Sequence, residues 1–301
     1  MDRPPGPRAV KPIDVVLCIT FPLLWGFGFA AAKYGVGHFP PIFLTACRFG
    51  LSALVLVWFV RPPWHLLRRI FLISILSASI SYALIYTGLK GIDVSTAALL
   101  TQIEVVSAAI TAAVFLKERL SLKSLAGMTV SFAGLVFIFG EPKVQSNLLP
   151  VFMVLAGGLS WATGQVLVRT LGQVGGFTLL AWMAVMAAPQ LFVSSFILES
   201  GQIEAVMTAD WLSWATILYL GLVMNGVGYA IWYHLLGRHP VNRVMPYVLL
   251  VPVASVATGV GLMGETMTWL VAIGGVIVIA GVAIMTVDWS AFRPRATKSR
   301  A

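Results

Sequence analysis

Ten runs of about twenty apolar residues, parted only by short polar segments, leave this chain few ways to fold. A run of that length spans the roughly 30 Å hydrocarbon core of a bilayer as a single helix. Inside lipid every backbone N–H and C=O must find its partner within its own segment, which a helix provides. The runs cover roughly 13–35, 41–60, 68–89, 94–116, 121–139, 148–170, 176–198, 211–236, 241–263 and 268–287. With 59% hydrophobic and 10% charged residues, the composition lies outside that of soluble domains. The first run follows a basic start but exceeds a signal-peptide core and lacks a clear small-residue cleavage site, so it counts as a first helix.

The net charge of +9 comes from basic residues gathered between apolar spans, which points to topology rather than to nucleic acid. With ten spans, 16 of the 20 Lys and Arg fall on one side. They include Arg61, Arg68, Arg69, Lys117, Arg119 and Lys123. Lys33, Arg48, Lys90 and Lys143 fall on the other side or within a span, and so does the acidic segment 199–210. The positive-inside rule then predicts both termini in the cytoplasm. Residues 291–301 read as a basic cytoplasmic tail. Trp58, Trp64, Trp211, Trp214, Trp269 and Trp289 sit near span ends and read as interfacial anchors. Cys18 and Cys47 lie within spans and read as packing residues.

The chain repeats itself. Trp25-Gly26-Phe27-Gly28 through Lys33 matches Trp161-Ala162-Thr163-Gly164 through Arg169, 136 residues on. Tyr82-Ala83 and Tyr86 match Tyr229-Ala230 and Tyr233, now 147 residues on. Glu118 with Glu265, Gly127 with Gly274, and Gly134 with Gly281 keep the second offset. Five spans per half is an odd number, so the second half enters the membrane upside down. The fold class predicted is an all-α integral membrane protein: ten transmembrane helices in two five-helix inverted-topology repeats around a central cavity. The halves are 1–144 and 145–290. Inverted repeats are the usual construction of secondary transporters, with the substrate near the midplane between them.

The fourth span carries one acid near its centre, Glu104. On a helix Thr96, Thr101, Glu104, Ser107 and Thr111 share one side, and Leu99, Ile103, Val106 and Ile110 the other. A charge there costs about 2.5–3.5 kcal/mol on insertion scales, so Glu104 faces the bundle. Two readings stand: a structural acid, protonated or paired, or a group that couples transport to protons. The candidate substrate cavity is lined by Trp25, Tyr82, Tyr86, Thr101, Glu104, Trp161, Gln165, Asn225, Tyr229, Trp232 and Tyr233. These positions lie deep in their spans, and many are related by the repeat. Aromatic walls with a few polar tips suit an amphipathic solute with an apolar or planar side chain. Arg48, nearer the non-cytoplasmic end of the second span, reads first as a snorkelling side chain. It could also pair with an acid or attract a substrate carboxylate. Gly26-Phe27-Gly28 sits in lipid with no strand before it and is not a phosphate loop. Pro22, Pro189, Pro246 and Pro252 mark bends. His234 and His239 read as solvated and lack metal-ligand spacing.

These motifs together resemble one known group. Trp25-Gly26, Arg48-Phe49, the run Phe115-Leu116-Lys117-Glu118-Arg119-Leu120, and Pro252 with Gly264-Glu265 are similar to the drug/metabolite transporter superfamily, in its ten-helix EamA-type group. The resemblance covers residues 13 to 287, and within the superfamily the chain looks most similar to bacterial aromatic amino-acid exporters. One departure stands out. The Pro that usually precedes the motif Glu by thirteen residues is kept as Pro252 but replaced by Val105 in the fourth span, which puts the expected kink there in doubt. The resemblance implies a bacterial inner-membrane exporter of amino acids, including Phe, Tyr and Trp, working by alternating access. It implies a small-molecule substrate and the lipid bilayer as partners, no cofactor, no metal, no ATPase subunit, no nucleic acid, and a monomer. The alternatives are export of another metabolite or drug, or a membrane channel or non-transport membrane protein. No catalytic set of side chains is visible, so an enzyme is not expected.

Overall fold

Each predicted span that can be traced is helical. The computed structural model describes residues 12–117, 119–172, 174–239, 244 and 247–287, with the side chains of residues 233, 236 and 237 outside that description. The membrane helices are α1 (Pro12–His38), α2 (Pro41–Phe59), α3 (Trp64–Gly91), α4 (Val94–Phe115), α5 (Leu122–Phe139), α6 (Leu148–Leu171) and α7 (Gly176–Leu198). Then α8 runs through Trp211–Leu218, Tyr219–Gly228 and Tyr229–Arg238. Last come α9 (Leu250–Met263) and α10 (Trp269–Thr286). Among the described residues nine helices are long and apolar enough to cross a membrane, and α9 is a shorter apolar one. The first part of the span expected at 241–263, with Pro246, lies largely outside the described residues, as do Glu118, Trp289 and the tail. The acidic segment 199–210 is not plain loop: Gln202–Thr208 forms a short helix, with Gln202 buried.

The two halves carry the same irregularities at the same places. Within α3, Ile75–Ile80 is π-helical, and within α8 so is Tyr219–Gly228. These stretches overlap when the chain is shifted by the 147 residues that superpose the repeat. A π-helical turn adds a residue to the backbone ring and leaves the ladder looser, which is why such turns collect at functional sites. Tyr82 and Tyr229 stand just past these stretches.

The kink that the missing Pro put in doubt in the fourth span is present in α4. The helix stops at Leu100 and restarts at Ile103. Across the gap the bonds tighten to three residues: Gln102 N–H donates to Leu99 O (3.2 Å) and Glu104 N–H to Thr101 O (2.9 Å). The Thr101 hydroxyl donates to Ala98 O (2.8 Å), supplying the local competition with the helix that Pro would otherwise provide. The second half breaks at the equivalent place, with Leu249 in a turn and α9 starting at Leu250.

Small residues bring the helices together. A Cβ built on Gly127 of α5 would lie 2.6 Å from Gly281 O of α10, and one built on Gly281 would lie 2.6 Å from Gly127 O. Gly28 of α1 receives the Met224 side chain of α8, and its counterpart Gly164 of α6 receives Ser77 of α3. Lipid offers no hydrophobic drive for helices to associate, so close backbone approach of this kind does the work. The lipid-facing anchors read from the sequence are exposed: Trp58 83%, Trp64 75%, Trp211 78% and Trp269 66%.

Candidate functional site

Arg48 is the residue that the sequence placed wrongly. It does not snorkel; its side chain is fully buried near the middle of α2. The guanidinium carbon lies 4.2 Å from the ring centre of Tyr82, 4.9 Å from that of Phe49 and 5.0 Å from that of Tyr86. Its Nη1 donates to the Tyr86 hydroxyl. Tyr82 and Tyr86, one turn apart on α3, stand edge to face with centroids 6.1 Å apart. Tyr229 of α8 lies within electrostatic reach of the same guanidinium. The backbone behind Arg48 is fastened to α8: the Ser52 hydroxyl donates to Gly221 O (2.8 Å), and the Asn225 amide donates to Ser52 Oγ (3.1 Å).

A second aromatic group joins α1 to α8. The Trp25 ring lies 5.1 Å from that of Tyr229, and Trp25 Nε1 donates to Met224 O (3.3 Å), a carbonyl in the π-helical stretch. Phe21 links this group to Trp232, with centroids 5.2 Å apart. Tyr229 also packs against the cluster that Leu56 of α2 forms with Leu180 and Ala181 of α7. The structure thus gathers Trp25, Tyr82, Tyr86, Asn225, Tyr229 and Trp232 along the seam of α1, α2, α3 and α8. Tyr233 falls outside the residues whose side chains are described.

The remaining candidates lie on the other seam. Thr101 is buried at the break of α4, its hydroxyl engaged with the backbone. Glu104 is half-buried one turn further on, and its stem packs on Gly158 of α6, where a Cβ would come within 3.2 Å of Glu104 Cγ. Among the described residues no hydrogen bond or ion pair reaches its carboxylate. Trp161 and Gln165 are half-buried on α6.

Polar clusters close the bundle at both ends. At the end richer in Lys and Arg, Asp14 of α1 meets three groups at the end of α8 and just past it: His239 Nε2 at 2.9 Å, Arg238 Nη1 at 3.7 Å and His234 Nε2 at 3.9 Å. His239 is therefore not solvated as its position suggested; its side chain is 10% exposed because it partners Asp14. At the opposite end Glu265 accepts from Val94 N–H, Ser95 N–H (3.0 Å) and the Ser95 hydroxyl (2.6 Å), capping α4 from the end of α9. The Gly264 before it is left-handed (φ +67°), and Glu265 N–H returns to Gly259 O as a helix-ending turn requires. Lys143 pairs with Asp93 at 2.7 Å, and this bond holds its ammonium above the usual lysine range. Lys33 Nζ donates to the carbonyls of Leu89 (2.9 Å), Lys90 (3.2 Å) and Ile92 (2.8 Å), closing the end of α3. A cavity of about 60 Å³ lies among Asp93, Glu141, Lys143 and Glu265. A wider cleft of about 630 Å³ lies between α1, α2, α7 and α8, walled by Leu17, Leu56, Phe177 and Ile231. No group of three or more potential metal ligands occurs among the described residues.

Arg48, which the sequence offered to a substrate carboxylate only as a second reading, and Lys33, which closes the end of α3, are the two polar groups whose places the sequence did not give. The absence of any acid at helical spacing from Arg48 was the available signal for the first. For Lys33, the match to Arg169 in the repeat was the signal.

Comparison with known proteins places this architecture. The sequence profile of the EamA-like transporter family matches twice, over residues 13–140 and 148–287. A protein of Salmonella typhimurium named a probable amino-acid metabolite efflux pump is 31% identical over 90% of this chain and 94% of its own length. A protein of the same name from Escherichia coli is 29% identical over the same shares. A crystal structure 20% identical in sequence superposes with a TM-score of 0.62, covering 91% of this chain and 98% of the other, and so shares the fold. Two matching halves, nine spanning helices and a shorter apolar one among the described residues, and relatives aligned along nearly their whole length agree: this chain is a multi-pass membrane protein of the EamA-like transporter family, within the drug/metabolite transporter superfamily.

Proposed function

We propose that the protein exports amino acids, aromatic ones among them, across the bacterial inner membrane by alternating access between its two halves, 1–144 and 145–290. One observation carries the reading. The helices α3, α4 and α8 are interrupted, and α9 begins after a turn at Leu249, at repeat-equivalent positions beside Tyr82, Glu104 and Tyr229. Interrupted helices that meet near the bilayer midplane are where secondary transporters bind substrate. The Trp25–Tyr229–Trp232 and Tyr82–Tyr86 groups supply flat apolar walls there. The names of the bacterial relatives support an amino-acid substrate. The excess of Lys and Arg at one end supports cytoplasmic termini.

Counterflow in proteoliposomes, with labelled Phe, Tyr, Trp and Leu in turn, tests this. Tyr82→Ala and Trp161→Ala are expected to slow exchange at least tenfold, while Trp269→Ala, a lipid-facing anchor, leaves it within about twofold of wild type. Wild-type rates in the two inner variants would place the substrate elsewhere.

A further inference from the structure

We propose that Arg48 is the group that recognises the carboxylate of the transported solute. The inference deepens the amino-acid reading above and rests on it for the identity of the solute. A guanidinium stays charged at any physiological pH, and removing it from water without a counter-ion is costly. Here it is fully buried, and among the described residues no carboxylate lies within ion-pair distance of it. The described residues thus hold a buried cation without supplying its anion.

The geometry shows which part of the group is left for a ligand. The rings of Tyr82, Phe49 and Tyr86 surround the guanidinium and hold it through their faces. Nη1 is used by the Tyr86 hydroxyl. Among the described residues Nε and Nη2 have no partner within hydrogen-bond geometry. These two nitrogens form one edge of the planar fork, and their N–H bonds point the same way, which is the arrangement that takes a carboxylate through two parallel hydrogen bonds. An aromatic or aliphatic side chain on the same solute would meet the adjoining rings. With the rings closed over it the site is occluded; separation of α2 from α3 and α8 would uncover it.

The architecture does not explain the charge. The repeat counterpart of α2 is α7, and Gly176–Leu198 contains no Lys or Arg. The duplicated scaffold therefore forms on one side without this cation, so its presence on the other calls for a role beyond holding helices together.

The test uses the purified full-length protein in detergent and in proteoliposomes. The probes are phenylalanine and leucine, their amides, which lack the carboxylate, and 3-phenylpropionate, which lacks the ammonium. Wild type is expected to gain thermal stability with both amino acids and with 3-phenylpropionate, and at least tenfold more weakly with the amides. Arg48→Met is expected to weaken binding of every carboxylate probe tenfold or more and to slow counterflow equally, with Arg48→Lys in between. Arg48-dependent binding of 3-phenylpropionate, in a protein that exchanges no amino acid, would uphold the carboxylate site while sinking the amino-acid reading. Equal binding of acid and amide by the wild type overturns the proposal, a comparison that needs no variant to fold. So does binding of no carboxylate probe at all, or wild-type carboxylate affinity in a correctly inserted Arg48→Met protein.

Discussion

Gly134 of α5 and Gly274 of α10 meet backbone to backbone: a Cβ built on either would lie 2.7 Å from the carbonyl oxygen of the other. In the repeat, Gly134 corresponds to Gly281 and Gly274 to Gly127, which form the matching contact one end further along. The two contacts change places when the halves are exchanged, so the interface is isologous and marks a two-fold axis between the helices. The inverted repeat therefore runs through the α5–α10 seam, where both halves touch through the same surface.

That contact makes a stability prediction. Gly134→Ala would press its methyl against Val278 N as well as Gly274 O, both backbone atoms that cannot rotate away. A loss of about 1–3 kcal/mol is expected for Gly134→Ala and, by symmetry, for Gly281→Ala, whose methyl would meet Ser131 N and Gly127 O. Gly261→Ala in α9, where a Cβ meets nothing within 4 Å, is expected to be neutral or to stabilise by up to about 1 kcal/mol. Thermal unfolding in detergent reads all three, and a tolerated Gly134→Ala would remove the seam from the account.

Lys117 is the described non-glycine residue with a positive φ, +55°. Its repeat counterpart is Gly264, at +67°. Both turn the chain just past a helix end and just before the motif glutamate. A residue with a Cβ spends about 1–2 kcal/mol in this conformation, and glycine gives back about 0.5–1 through its freer unfolded chain. Lys117→Gly is expected to stabilise by about 0.5–1 kcal/mol, seen as a raised unfolding temperature. A lowered one would mean that the Lys117 side chain has a role the turn does not reveal.

Topology is tested best at Glu204, which is exposed on the short helix Gln202–Thr208, whereas Gln202 beside it is buried and bonded to Ser195 O. In a background lacking Cys18 and Cys47, Glu204→Cys is expected to react with an impermeant maleimide added to whole cells. Protection there, with labelling only after the cells are opened, would invert the orientation.

Glu104 stands one turn past the break in α4, and among the described residues no cation pairs with it; the proposed coupling role has it take up and release a proton as the halves move. Glu104→Gln keeps the shape and cannot ionise. It is expected to preserve exchange of labelled for unlabelled substrate and to abolish the acceleration produced by an imposed pH gradient. A wild type indifferent to that gradient leaves Glu104 with a structural role, in which case Glu104→Ala lowers the unfolding temperature.

Much of this protein is legible in its amino acids. The membrane spans follow from apolar run length alone, because lipid permits a buried backbone little but helix. The duplication and its inversion follow from matching Gly, Tyr and Glu positions and an odd number of spans per half. The interfacial tryptophans follow from their places at span ends. What the chain could not announce depends on contacts between residues far apart in sequence. Pattern alone could not break α4 without a proline; the Thr101 hydroxyl and the tightened bonds around it do so. His239 could not be seen as buried, because its partner, Asp14, lies at the other end of the chain. Arg48 is the clearest case. Its charge and its place in a span suggested escape to the membrane surface, the cheapest course for an isolated helix. Packing against Tyr82 and Tyr86 of α3, with Ser52 tied to Gly221 of α8, holds it inside instead. Sequence sets the cost of burying each group; only the tertiary structure brings up the neighbours that decide whether it is met.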